Sequence, residues 1–314
     1  MCIDPGSSTA WEGTGFGLAI HSDRPLLVPS RSPSTGELVE LRRVEADTLA
    51  NAWSESKGEN LWRTRFPDGA QVTVERGATG EQRIAYGDLA AFEISAGGHN
   101  VRWAKSTADD AAVQRFLLDT VLWWTSMTRG FDLLHASAVK LADERVVAFV
   151  GGTGAGKTSL AIELISHGAT LFADDVLALR REQEGVVIYP GPAVMNVPDA
   201  SRNVVDNWTT AIAAFPGQGE TWMVVDDVAR EPTSLSAVIV LDRAAQNDLA
   251  IRQMTPSPLK LMTWAWGLTN TGERGLRSFE AFADLAESVP AYHLSAGGDA
   301  SPGAIAKLIT SRCR

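Results

Sequence analysis

Only two cysteines occur in 314 residues, Cys2 and Cys313, at opposite ends of the chain. They can build neither a disulfide framework nor a cysteine metal cluster, so a reduced, cytoplasmic setting is expected. Long apolar runs are missing as well: no stretch reaches the roughly 20 residues that a membrane-spanning helix needs. The N-terminal MCIDPGSSTAWEG has neither the basic nor the apolar region of a secretory signal. Runs of Lys and Arg are also absent, and the formal net charge is −10. That balance argues against a general nucleic-acid surface while leaving room for a local basic pocket. What remains is an ordinary globular composition, long enough for one large domain or two smaller ones.

Glycine is spent unevenly, and its densest use carries chemistry. Gly151-Gly152-Thr153-Gly154-Ala155-Gly156-Lys157-Thr158 fits the phosphate-binding pattern G-x-x-x-x-G-K-[ST] at every position. The preceding run Val146–Val150 reads as a buried strand, and Ser159–His167 as a helix closed by Gly168. A strand, a glycine-rich turn and a helix start make an anion site, because backbone N–H groups and the helix dipole converge there. The expected ligand is ATP with Mg²⁺: residues 151–159, Ser159 included, form the cradle, Lys157 contacts the β/γ-phosphates, and the Thr158 hydroxyl binds the metal.

After Gly168 the apolar segment Ala169–Ala173 delivers Asp174 and Asp175 before Val176–Leu179 continues. Most phosphate-loop enzymes take their metal-binding aspartate from a much later strand; here it comes from the next one. Phosphoryl transfer to a hydroxyl needs a cation on the phosphates and an acceptor for the proton of the nucleophile. Two adjacent carboxylates can divide those tasks, and their like charges are expected to raise one of the two pKa values. Sequence does not say which residue takes which task.

The order GGTGAGKT, ELISHG, FADD resembles the C-terminal domain of the HPr kinase/phosphatase family, related in fold to phosphoenolpyruvate carboxykinase. Thr153 and Thr158 stand where that family has serines, and its longer basic signature loop has no counterpart here. The resemblance implies a kinase with an alcohol acceptor. It also implies a role near the transferred phosphate for His135 in Leu134-His135-Ala136-Ser137-Ala138-Val139; by its apolar neighbours alone, His135 would be a hydrogen-bonded core residue. The wider layout is similar to HPr-kinase-related enzymes of peptide maturation such as lasso-peptide kinases. It implies a seryl hydroxyl of a ribosomal precursor peptide as acceptor, with a small hydroxyl metabolite, or nucleotide binding without transfer, as the other readings.

The rest of the chain supplies the frame. Residues 1–105 are expected to be β-rich, with strands at Gly15–His21, Leu38–Val44, Leu61–Phe66, Gln71–Glu75, Arg83–Tyr86, Ala91–Ser95 and Asn100–Ala104. Residues 106–130 read as a buried connecting helix started by Asp109-Asp110, whose Trp123-Trp124 pair suits core packing or, alternatively, self-association. Residues 131–314 are expected to form the HPr-kinase-like, ATP-binding α/β catalytic domain. In it, Leu235–Leu241 is a strand, Phe215–Glu220 a loop, and Pro258–Trp266, Ser278–Glu287 and Ala304–Thr310 are helical. Glu273–Arg277 reads as a small cationic loop. Arg274 or Arg277 is the candidate for a second positive group on the phosphoryl, with a solvated surface as the alternative.

Overall fold

Two large sheets organise the chain, one in each unit. The computed structural model describes the chain except residues 1–9, 34, 55–56, 66–68, 106–109, 216, 244–247, 267–271, 298–299 and 313–314. Both cysteines, Phe66 at the end of the expected strand Leu61–Phe66, and Asp109 fall outside the described residues. The chain divides into one unit of Met1–Gly130 with Phe215–Gln218, and a second of Phe131–Ala214 with Gly219–Arg314.

The first unit holds an eight-stranded sheet in the order Trp11–Gly15, Leu18–Ser22, Glu37–Arg43, Asn100–Lys105, Ala90–Ile94, Gln82–Tyr86, Gln71–Arg76, Glu59–Arg65. The expected single strand Gly15–His21 is instead the turn and second arm of a hairpin. Phe16 and Gly17 take φ of 57° and 81°, the backbone of a tight primed turn. A phenylalanine is unusual there, and its ring is buried in return. A helix at Ala46–Ser54, not foreseen, packs through Leu49. The helix Asp110–Thr128 carries a π-helical stretch at Leu117–Val121. Tyr86 stacks on its Phe116 at 4.2 Å, and Trp124 stacks on Trp62 at 5.9 Å. Both tryptophans of the pair are turned into this core.

The second unit has a sheet in the order Thr233–Ser234, Gly185–Tyr189, Val176–Glu182, Asp132–Lys140, Val146–Val150, Ala237–Asp242, Ala291–Ser295, Ala250–Met254, with Thr170–Ala173 also on Asp132–Lys140. Val146–Val150 runs parallel to Ala237–Asp242, which runs parallel to Ala291–Ser295. These strands are near-continuous apolar runs because both faces of the sheet are covered. On one face, Leu160, Ala161 and Leu164 of helix Lys157–Ser166 and Ile305 and Ile309 of helix Pro302–Arg312 meet Val147, Phe149 and Ile239. On the other, Ala281, Phe282, Leu285 and Val289 meet Val146, Ala148 and Val238. A small sheet of Val194–Pro198, Glu220–Val225 and Thr209–Phe215 adds Met195, Val197 and Met223 to the first face. The chain is therefore a mixed α/β protein.

Three expectations change here. Glu273–Arg277 is not a loop but the first turns of helix Gly272–Ser288. A glycine inside a helix costs only about 1 kcal/mol, and the apolar stripe from Ala281 to Val289 outweighs Gly275. Pro258–Trp266 is helical only over Pro258–Met262. The chain then turns, and Trp264–Trp266 lies along Leu133–His135, with His135 N–H donating to Trp264 O at 2.7 Å and Trp266 N–H to Leu133 O at 2.9 Å. Phe215–Glu220, expected as a loop, includes the ends of two neighbouring strands.

Candidate active site

The glycine-rich loop at residues 151–156 leaves the C-terminal end of Val146–Val150, and its glycines are there for different reasons. A side chain at Gly151 would meet the Leu241 carbonyl at 3.0 Å, so this residue permits close packing on the neighbouring strand. Gly154 and Gly156 take φ of 79° and 89°, which L-residues rarely adopt. Gly152, Thr153 and Gly154 form the exposed tip, Ala155 N–H closes the turn onto Gly152 O at 3.0 Å, and Thr158 and Ser159 lie in the first turn of Lys157–Ser166. Lys157 is buried, its Nζ 3.1 Å from Gly151 O. Burial lowers its pKa, against the opposing pull of Asp175 and Asp174.

Sheet register fixes the two carboxylates. Ala173 pairs with Ala138 and Val176 with His135, so Asp174 lies across from Ser137 and Asp175 across from Ala136. Asp174 Oδ1 accepts from Ser137 Oγ at 2.7 Å and from Thr158 Oγ1 at 2.9 Å, while Oδ2 accepts from Asn196 N–H at 3.3 Å. Burial pushes the Asp174 carboxyl up to about 6; repulsion by Asp175 adds to this, and the hydroxyl donors oppose it. The anticipated rise is therefore mainly desolvation and only secondarily like-charge repulsion. Asp175 is different: its backbone is left-handed at φ 65°, and its side chain is 55% exposed. His135 Nε2 sits 3.4 Å from its Oδ1. Burial, then the Lys157 charge, lowers the His135 pKa to about 4, so the ring at neutral pH is an uncharged imidazole beside a carboxylate. It stacks on Trp266 at 5.2 Å with 13° between the planes.

The fold thus gathers residues 151–159, Asp174, Asp175 and His135 at one end of the sheet. Arg274 and Arg277 it places elsewhere. Arg274 donates to Phe131 O at 3.1 Å and faces Asp132, which also accepts from Ser278 Oγ and feels the charge of Arg277. Burial raises the Asp132 pKa and lowers that of Arg274. Asp132 precedes His135 by three strand residues, about 10 Å, and alternation turns the two side chains to opposite faces. Sequence reasoning missed Ser137, the Asn196 amide and Trp266. Ser137 had a signal, since residues 135 and 137 of one strand share a face.

The donor set fits Mg²⁺ with a polyphosphate. Among the described residues no group of three His, Cys, Asp or Glu side chains could hold a metal on its own. One hydroxyl and two carboxylates suit an ion that completes its shell with phosphate oxygens and water. No helix of the described residues is long and apolar enough to cross a membrane.

No protein-family model matches the chain, and no curated protein matches it in sequence. Among solved structures, the HPr(Ser) kinase/phosphatase from Coxiella burnetii overlays on 57% of this chain and 94% of its own, at 16% identity and a TM-score of 0.31. At that score the likeness carries no weight for activity, which has to be read from the site.

Proposed function

We propose that the second unit is a phosphotransferase that moves the terminal phosphoryl group of Mg·ATP to an alcohol. The observation that carries this reading is Asp174, a half-buried carboxylate tied to the Thr158 hydroxyl of the phosphate loop, with Asp175 exposed beside a neutral His135.

Lys157 and the amides opening helix Lys157–Ser166 would face the polyphosphate. Thr158 and Asp174 would hold Mg²⁺, which neutralises phosphate charge when bound. The different surroundings of the two aspartates divide the labour. Asp174, lodged against Ser137, Thr158 and the Asn196 amide, is the metal-side residue. Asp175, open to incoming groups, accepts the proton of the attacking hydroxyl, and His135, acting through Nε2, orients it. The acceptor we assign is a seryl hydroxyl of a ribosomal precursor peptide, which rests on the sequence resemblance.

Mass spectrometry after incubation with Mg·ATP tests this, with precursor-like seryl peptides and small alcohols as acceptors and Lys157→Ala as control. Phosphate localised to serine supports the full reading. Phosphate only on small alcohols replaces the acceptor, and nucleotide binding with no transfer to any acceptor or to water replaces the enzyme with a binding module. Undiminished turnover in Lys157→Ala removes the phosphate-loop assignment.

A further inference from the structure

We propose that Trp266 is the acceptor-side platform of this site, receiving an apolar or planar group carried next to the accepting hydroxyl; this rests on the phosphotransferase reading. Strand Asp132–Lys140 is paired along Ala136–Lys140 by the phosphate-loop strand, which stops where the loop departs. The next slot, along Leu133–His135, is filled by Trp264–Trp266 through the two backbone hydrogen bonds and the Leu134–Ala265 bridge. An extended segment is thus laid into the sheet just beyond the carboxyl end of the phosphate-loop strand, where ligands of open α/β sheets gather.

The two indoles have different tasks. Trp264 packs with Ala265 on the core of Leu134, Leu261 and Phe282, which anchors the segment. Trp266 stacks on the face of His135, whose ring edge, at Nε2, meets Asp175. Trp266 as a whole residue is half-buried rather than sealed in the core. Apolar aromatic surface therefore stands one imidazole away from the proposed base, on a rigid backbone ladder. An indole face favours apolar and planar neighbours, so it selects the residue beside the hydroxyl and leaves the phosphates to the loop.

The test uses two short seryl peptides, near-isosteric and uncharged in the variable position, with leucine or asparagine before the serine. Their affinity is measured by titration calorimetry on the full chain loaded with Mg²⁺ and a non-hydrolysable ATP analogue. The leucine peptide is expected to bind at least fivefold tighter. Trp266→Ala should erase that preference with nucleotide affinity within twofold of wild type, and Trp266→Phe should keep most of it. The proposal is overturned by a preference that survives Trp266→Ala, by a parallel loss of nucleotide affinity, which would move Trp266 to the nucleotide side, by equal binding of the two peptides to wild type, or by failure of the leucine peptide to bind. Failure of the phosphotransferase reading shows separately, as nucleotide affinity indifferent to Lys157→Ala.

Discussion

Replacing Asp174 by asparagine should make the ligand-free protein more stable while disabling it. The carboxyl is moved from its ordinary value of 3.8 to about 6, mainly by burial. A difference of about two pH units at 1.36 kcal/mol each puts the cost of the buried charge near 3 kcal/mol above pH 6. The sign follows from proton counting: between about pH 4 and 6 the native state binds the proton and the unfolded state does not. This group's contribution is therefore most favourable below pH 4 and declines as pH rises through 6. Asparagine removes the charge and keeps an oxygen for Ser137 and Thr158, but turns an amide toward the Asn196 N–H, now 3.3 Å from Oδ2. Losing that long hydrogen bond costs about 1 kcal/mol, so a net gain of about 1–2 kcal/mol is expected at pH 8. Urea unfolding of both proteins from pH 4 to 8 measures it, and subtracting the curves removes the titrations they share. Adding Mg·ADP should invert the order, because only wild type gains binding free energy, about 2.7 kcal/mol at one hundred times Kd. If Asp174→Asn is the less stable protein at pH 8, or if the difference does not vary with pH, the desolvation argument is wrong.

Lys157→Ala should lower kcat/KM for ATP by roughly 10²–10³-fold, since backbone amides do not replace its charge; steady-state kinetics with any competent acceptor decides it. Mg²⁺-dependent nucleotide binding should weaken as pH falls through about 6, where Asp174 gains a proton, and titration calorimetry at pH 5 and 8 would expose a flat profile if the metal lies elsewhere. Gly154→Ala should cost about 1 kcal/mol of stability from its left-handed backbone and a much larger share of nucleotide affinity, to be read by thermal unfolding alongside binding. Asp175→Asn should reduce transfer by at least tenfold with nucleotide affinity near wild type, whereas equal losses in both would make Asp175 a metal residue instead.

Chemistry carried by local backbone geometry was legible in the sequence. The glycine-rich turn, its strand Val146–Val150 and its helix Lys157–Ser166 follow from one short pattern, because strand, turn and helix start are contiguous and each is set by its neighbours. The strands Gln71–Arg76 and Gln82–Tyr86 announce themselves by alternation and flanking turns. Where two physical signals conflicted, the local one misled. Gly275 looked like a loop inside a helix held by distant apolar contacts, and Phe16 hid a turn that its own burial stabilises.

By itself, then, the sequence determined that a glycine-rich turn joins a buried strand to a helix start, and that two carboxylates follow close by in the chain. Only the tertiary structure decided what those carboxylates are. Asp174 and Asp175 are adjacent in sequence and equal in chemistry. Burial depends on what arrives from elsewhere: Ser137 from the paired strand, Thr158 from the helix start and the Asn196 amide from the small sheet close around one, while a left-handed backbone leaves the other open beside His135. The same holds for Arg274, claimed by Asp132, and for Trp266, brought onto His135 from more than a hundred residues away. Desolvation and stacking are properties of packing, and packing is decided by which distant segments share a sheet.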